Sequence, residues 1–110
     1  MTQAVVQSSV EGTRTTITIR GEVDLANHQR VEQEINDAIS NQTTLALIDL
    51  TDIAFIDSAG LRTLFGLANR LARLQIALEL VAPEPSPARR VIELSGLSSL
   101  VTVRPDRSGA

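Results

Sequence analysis

The chain contains no cysteine, which excludes disulfides, thiolate metal sites and thiol nucleophiles. Lysine is absent as well, all ten basic residues being arginine. That removes P-loop and Schiff-base chemistry and the lysine on which phosphoacceptor receiver domains depend. Tryptophan and tyrosine are missing, and only Phe55 and Phe65 are aromatic, so no stacking platform for single-stranded nucleic acid exists. The arginines are scattered and the formal net charge is −3, which gives no electrostatic footprint for nucleic acid. No run approaches the ~20 apolar residues of a membrane span. The opening Met1-Thr2-Gln3-Ala4 lacks the basic and apolar regions of a secretory signal. The expectation is a cytoplasmic protein that engages neither nucleic acid nor membrane.

What is present is an ordinary globular composition: 110 residues, 43% hydrophobic and 21% charged, enough for one domain with a real core and too short for two. Residues 4–9 form a weak strand signal, and Glu11-Gly12-Thr13 is a turn before Thr15-Thr-Ile-Thr-Ile-Arg20. That second strand alternates strictly, with Ile17 and Ile19 inward and the Thr and Arg residues outward, and Gly21 ends it. Asp24 is placed to cap a first helix reaching about Ser40, with Leu25, Val31, Ile35, Ala38 and Ile39 near its apolar face. An apolar strand over residues 45–50 and a second helix from Ser58 to about Arg73 follow. Leu61, Leu64, Phe65, Ala68, Leu71 and Ala72 form the inner stripe of that helix. Leu67 and Leu74 lie off the stripe, where they widen the core contact or leave apolar surface.

Residues 75–81 read as another strand. Ser86 and Pro87 suit the N-cap and first position of a third helix, which Gly96 ends. A short strand over residues 100–103 precedes a polar segment. The order β-β-α-β-α-β-α-β predicts an α/β fold with a mixed β-sheet of about four to five strands and covering α-helices. One domain over residues 1–104 and a disordered tail over 105–110 are expected.

The stretch from Ile48 to Leu61 organises the rest, because it reads as a buried strand, a tight loop and the start of a long helix. It puts the Ser58 hydroxyl at a helix N-terminus, where free amides and the macrodipole favour an oxygen anion. Two roles are open to it. Ser58 is a plain N-cap, whose loss costs ~1 kcal/mol, or it is a group that accepts a phosphate. A serine hydrolase is poorly served: Ile56-Asp57-Ser58-Ala59-Gly60 lacks the leading glycine of G-x-S-x-G, and His28 is the one available base. Asp24, Asp49, Asp52 and Asp57 could gather at one sheet end, but no D-x-D-x-D-G loop supports a metal site. Neither a metal nor a cofactor is expected.

Three pieces stand in a telling order: Gly21-Glu22-Val23-Asp24, then Asp49-Leu50 leading to Phe55-Ile56-Asp57-Ser58-Ala59-Gly60-Leu61, then Leu94-Ser95-Gly96-Leu97. In this order and spacing the chain resembles the STAS family, and within it the anti-anti-sigma factors of bacterial partner switching, from about Ala4 to Val103. The resemblance implies the STAS fold and a binding protein without catalysis of its own. It implies that Ser58 is the serine phosphorylated by a GHKL-type serine kinase that is also the anti-sigma factor, and that a PPM-type phosphatase resets it. Asp24 matches the family's acidic residue beside that serine, and Asp24, Asp57, Ser58, Ala59, Gly60 and Arg62 are the expected partner-facing residues. Ala59 stands where many of these factors have a second Ser or Thr, which puts the tuning of the kinase reaction in question. The rival readings are a STAS interaction subunit of a lipid-transport or sensory complex, a small hydrolase or ligand-binding domain using the Ser58 loop, and an interaction domain in which Ser58 is only a cap.

Overall fold

The computed structural model describes residues Gln3–Ser108. Its elements are β1 (Ala4–Glu11), β2 (Arg14–Val23), α1 (His28–Ala38), β3 (Leu45–Asp49), β4 (Ile53–Ile56), α2 (Ser58–Arg73), β5 (Ala77–Val81), α3 (Pro87–Ser95) and β6 (Thr102–Arg104), with a 3-10 turn at Leu97–Ser99. β1 and β2 form an antiparallel hairpin that pairs Val6 with Ile19 and Val10 with Thr15. The sheet order is β1-β2-β3-β5-β6, with β4 paired to β2 off this path. All pairings except the hairpin are parallel.

Because β2, β3, β5 and β6 step across the sheet in one direction and such crossovers are right-handed, the three helices cover one face. The register sets Ile17, Ile48 and Leu80 side by side on that face and Thr18, Asp49 and Val81 on the other. Ile17, Ile48 and Leu80 join Ile35 of α1, Leu71 of α2 and Ile92 of α3 in one buried cluster. Each such side chain contributes about 1.5–3 kcal/mol on burial. Thr15 is also turned inward, contrary to the outward expectation, and its hydroxyl meets that of Thr43 at 3.0 Å.

The sheet has six strands, one beyond the expected upper count, and the extra one is β4. Asp49 Oδ1 accepts from the Thr51 amide and hydroxyl at 2.9 and 2.5 Å, so the chain turns out of β3 over Leu50–Asp52. It then returns to pair with the second half of β2, beyond a bulge at Gly21 and Glu22. Gly21 is at φ 99°, and a Cβ there would lie 2.2 Å from the Gln3 carbonyl oxygen; only glycine fits.

α1 starts at His28, not at Asp24, with Asn27 at its N-cap position. Asp24 instead builds a turn of its own: its Oδ1 accepts from the Ala26 amide at 2.9 Å, and its amide donates to Asn27 Oδ1 at 3.0 Å. Such local bonds compete with helix formation. Leu25, expected on the apolar face of the helix, consequently sits in that turn and is 76% exposed. In α2, Leu67 is buried because the helix packs against α1 as well as the sheet, whereas Leu74 and Ala72 are exposed and Phe65 is half-buried. α3 is capped as the sequence predicts, by Ser86 Oγ accepting from the Arg89 amide at 3.1 Å, and it ends on Gly96 at φ 84°.

The polar C-terminal segment folds back where a disordered tail is expected. Arg104 belongs to β6, and Arg107 bonds Asp49 Oδ2 at 2.6 Å and Thr18 Oγ1 at 2.7 Å on the face without helices. Burial pushes the Asp49 carboxyl up, but the bonds from Thr51 and the Arg107 guanidinium outweigh it and hold it below the usual carboxylate range. Residues 109 and 110 of the expected tail lie outside the described residues.

Candidate functional site

β2 and β4 run parallel and end together at the pair Val23–Ile56, so the turns leaving them lie side by side. The Asp57 amide extends the pairing to the Val23 carbonyl at 3.1 Å. Asp57 is the N-cap of α2: Oδ1 accepts from the amides of Ala59 and Gly60 at 2.9 and 3.0 Å, while Oδ2 accepts from the Leu25 amide at 3.1 Å. One carboxylate thus caps the helix and ties the two turns together. The Gly60 amide above all, then those of Leu25 and Ala59 with the charge of His28, hold Asp57 below the usual carboxylate range against an opposing effect of burial. It is an anion at neutral pH.

Ser58 is the first residue of α2 and is exposed. Among the described residues its hydroxyl has no hydrogen bond, and the capping that the sequence allowed it is carried out by Asp57. The helix enters this close to the sheet because residue 60 is glycine. A Cβ there would stand 2.8 Å from Ile56 Cγ1 and 2.9 Å from the Val23 carbonyl oxygen. Ala59 and Gly60, expected to face a partner, are instead buried against the sheet.

Asp24 is half-buried in the neighbouring turn, whose Leu25 amide bonds Asp57, so Asp24 and Ser58 belong to one rim. Arg62 is exposed one helical turn beyond Ser58 and makes no ion pair among the described residues. It lines a shallow depression of ≈ 120 Å³ together with His28, Glu32 and Thr63. His28 Nδ1 lies 3.4 Å from Thr63 Oγ1, so its contact is with threonine and not with Ser58. Without a base on Ser58, the hydrolase arrangement is not assembled. Of the four aspartates, Asp49 pairs with Arg107 and Asp52 with Arg20 at 3.6 Å, while Asp24 and Asp57 share the rim and Asp57 is held by amides.

The site has members that sequence reasoning overlooked. Asn27 is buried, and its Nδ2 donates to the Glu22 carbonyl at 2.8 Å, locking the first turn to β2. An Asp three residues before an Asn, with an alanine between, is the local signal of such a turn. Phe55, 47% exposed, pairs with Glu22 just before the Ser58 turn. A larger depression of ≈ 540 Å³ lies at the start of α3, where Arg89 is already held by Glu84 at 2.7 Å, by Glu93 at 3.3 Å and by the Ala82 carbonyl at 2.9 Å.

A family profile described as STAS domain matches residues 2–110. BtrV of Bordetella bronchiseptica, named as a candidate anti-sigma factor antagonist, is 32% identical over 92 residues, covering 84% of this chain and 78% of BtrV. The crystal structure of an anti-sigma factor antagonist from Mycobacterium paratuberculosis superposes with a TM-score of 0.84 at 24% identity, over 94% of this chain and 87% of that one. SpoIIAA in its unphosphorylated form matches with a TM-score of 0.72 at 24% identity, over 90% of this chain and 87% of that one. The same protein, a Bacillus cell fate determinant, has also been solved in its phosphorylated form, which matches with a TM-score of 0.67.

Proposed function

The chain belongs to the STAS-domain family, among the anti-sigma factor antagonists, and from that premise we propose that phosphorylation of Ser58 switches its binding to an anti-sigma factor. Unphosphorylated, the chain binds a GHKL-type serine kinase that is itself the anti-sigma factor, and so frees a sigma factor. Phosphorylated by that kinase on Ser58, it lets go until a PPM-type phosphatase removes the phosphate. The chain acts in the cytoplasm and contributes binding alone. Among the described residues no helix is long and apolar enough to cross a membrane.

The observation that carries this reading is the free, exposed hydroxyl of Ser58 beside a carboxylate that already does the capping. A kinase can reach it without breaking a bond of the fold. A phosphate adds about −1.5 to −2 charge at pH 7, next to the Asp57 anion and in the rim that holds Asp24. Asp57 already occupies the amides of Ala59 and Gly60, so the phosphate does not inherit them. A partner covering this rim would have to desolvate the added charge and meet like-charge repulsion, and both costs favour release. Arg62 supplies a positive charge on the α2 side of this rim and is assigned to partner contact along with Asp24, Asp57 and Ser58. Ala59 and Gly60 contribute through the close fit of α2.

The test is incubation with the anti-sigma kinase and labelled ATP, followed by capture on immobilised kinase. Label is expected in the wild type and not in Ser58→Ala. Ser58→Ala should be captured like unmodified wild type, and Ser58→Glu should be lost from the kinase. Label at another residue, or equal capture of Ser58→Glu, contradicts the proposal. Capture without release of a sigma factor would instead favour a STAS interaction subunit of another complex.

A further inference from the structure

Two large apolar side chains stand uncovered beside the Ser58 turn. Leu25 is 76% exposed and Phe55 is 47% exposed. Both belong to the paired segments that deliver the site: Phe55 pairs with Glu22, and the Leu25 amide is bonded to the Asp57 carboxylate. The exposure of Leu25 is imposed by the fold, because the Asp24–Asn27 bonds hold its turn and Asn27 is locked to the Glu22 carbonyl. The surrounding rim is acidic, with Glu22, Asp24 and Asp57 in the same segments.

We infer that Leu25 and Phe55 are the apolar anchors of the surface covered by the anti-sigma kinase, and that the kinase receives them in apolar hollows bordered by basic side chains. This rests on the reading of Ser58 given above. An anchor already fixed by backbone bonds loses little freedom on binding. Apolar contacts in a small interface contribute most where water is expelled. Phe55 is three residues before Ser58 and the Leu25 amide bonds Asp57 beside it, so a phosphate on Ser58 adds a charge that a partner seated on these anchors has to desolvate.

The experiment measures the affinity of the purified kinase that phosphorylates Ser58 for the unphosphorylated chain, with a thermal melt for each variant. Leu25→Ala and Phe55→Ala are each expected to weaken binding roughly ten-fold or more, and Leu25→Asp further still. Leu74→Ala and Leu94→Ala, which remove comparably exposed leucines on other elements, should leave affinity within about two-fold. Leu25 has little to lose from the fold, so its variants keep the test valid if Phe55→Ala melts early. Wild-type affinity in the Leu25 variants, with Ser58→Glu still released, overturns the anchors and leaves the switch standing. A wild type that does not bind the kinase overturns both. If Leu25→Asp alters sedimentation of the chain alone and not its affinity for the kinase, the anchors face a second copy and the inference fails.

Discussion

Two helices of this chain have a serine at their entry, and the two hydroxyls meet opposite fates. Ser86 occupies the N-cap of α3 and accepts from the Arg89 amide at 3.1 Å. Ser58 is one residue further into α2, behind Asp57, and its hydroxyl is left out of the cap. The surroundings differ accordingly. At α3, the Arg89 guanidinium beside the entry is tied down by Glu84, Glu93 and the Ala82 carbonyl. At α2, the entry carries exposed Ser58, Leu25 and Phe55. Placing an aspartate before the serine transfers the structural duty to a carboxylate and leaves the alcohol outside the cap.

The largest disturbance to this contrast is expected from Gly60→Ala. The new methyl would press on the Val23 carbonyl oxygen at 2.9 Å and on Ile56 Cγ1 at 2.8 Å, pushing the start of α2 away from β2. A loss of about 1–3 kcal/mol should appear as a lower urea midpoint, and an unchanged midpoint would mean that α2 does not need its close approach.

Next comes Asp57→Ala, which removes the acceptor of three amides and should cost about 1–2 kcal/mol at neutral pH. The same carboxylate carries a pH signature. Its folded pKa is depressed, so its contribution is complete above the unfolded value of about 3.9 and is lost as pH falls from there through the folded pKa. Acid unfolding of Asp57→Ala should therefore be shallower than that of wild type in this window. Parallel acid curves would show that the cap bonds do not form in solution.

The smallest effects sharpen the contrast most. Ser86→Ala should cost about 1 kcal/mol in thermal or urea melts, whereas Ser58→Ala should stay within about 0.5 kcal/mol of wild type. Equal losses would make Ser58 a cap after all.

Much of the frame can be read from local pattern. The alternation of Ile17 and Ile19, the Ser86-Pro87 entry and Gly96 exit of α3, and the start of α2 at Ser58 all depend on neighbours close in sequence. The features that escape depend on distant partners. β4 is four residues without alternation, and it becomes a strand only because β2 accepts it beyond the Gly21 bulge. The Arg107 clasp joins residues 58 apart. Asp24 satisfies the sequence rules for a helix cap, yet Asn27 and Ala26 draw it into a turn, and Leu25 is exposed as a result. At the site, the pattern finds Asp57 and Ser58 but does not divide the labour between them, since both are good caps.

The proposed switch requires that one phosphate on Ser58 weaken binding and leave the fold alone. Titrating the anti-sigma kinase with unmodified and Ser58-phosphorylated chain, while recording the thermal melt of each, separates these two effects. Binding of the phosphorylated chain is expected to be weaker by about a hundred-fold or more, with the melting transition of the free domain nearly unmoved. Equal affinity, or a loss of affinity that comes with unfolding of the domain, would contradict it.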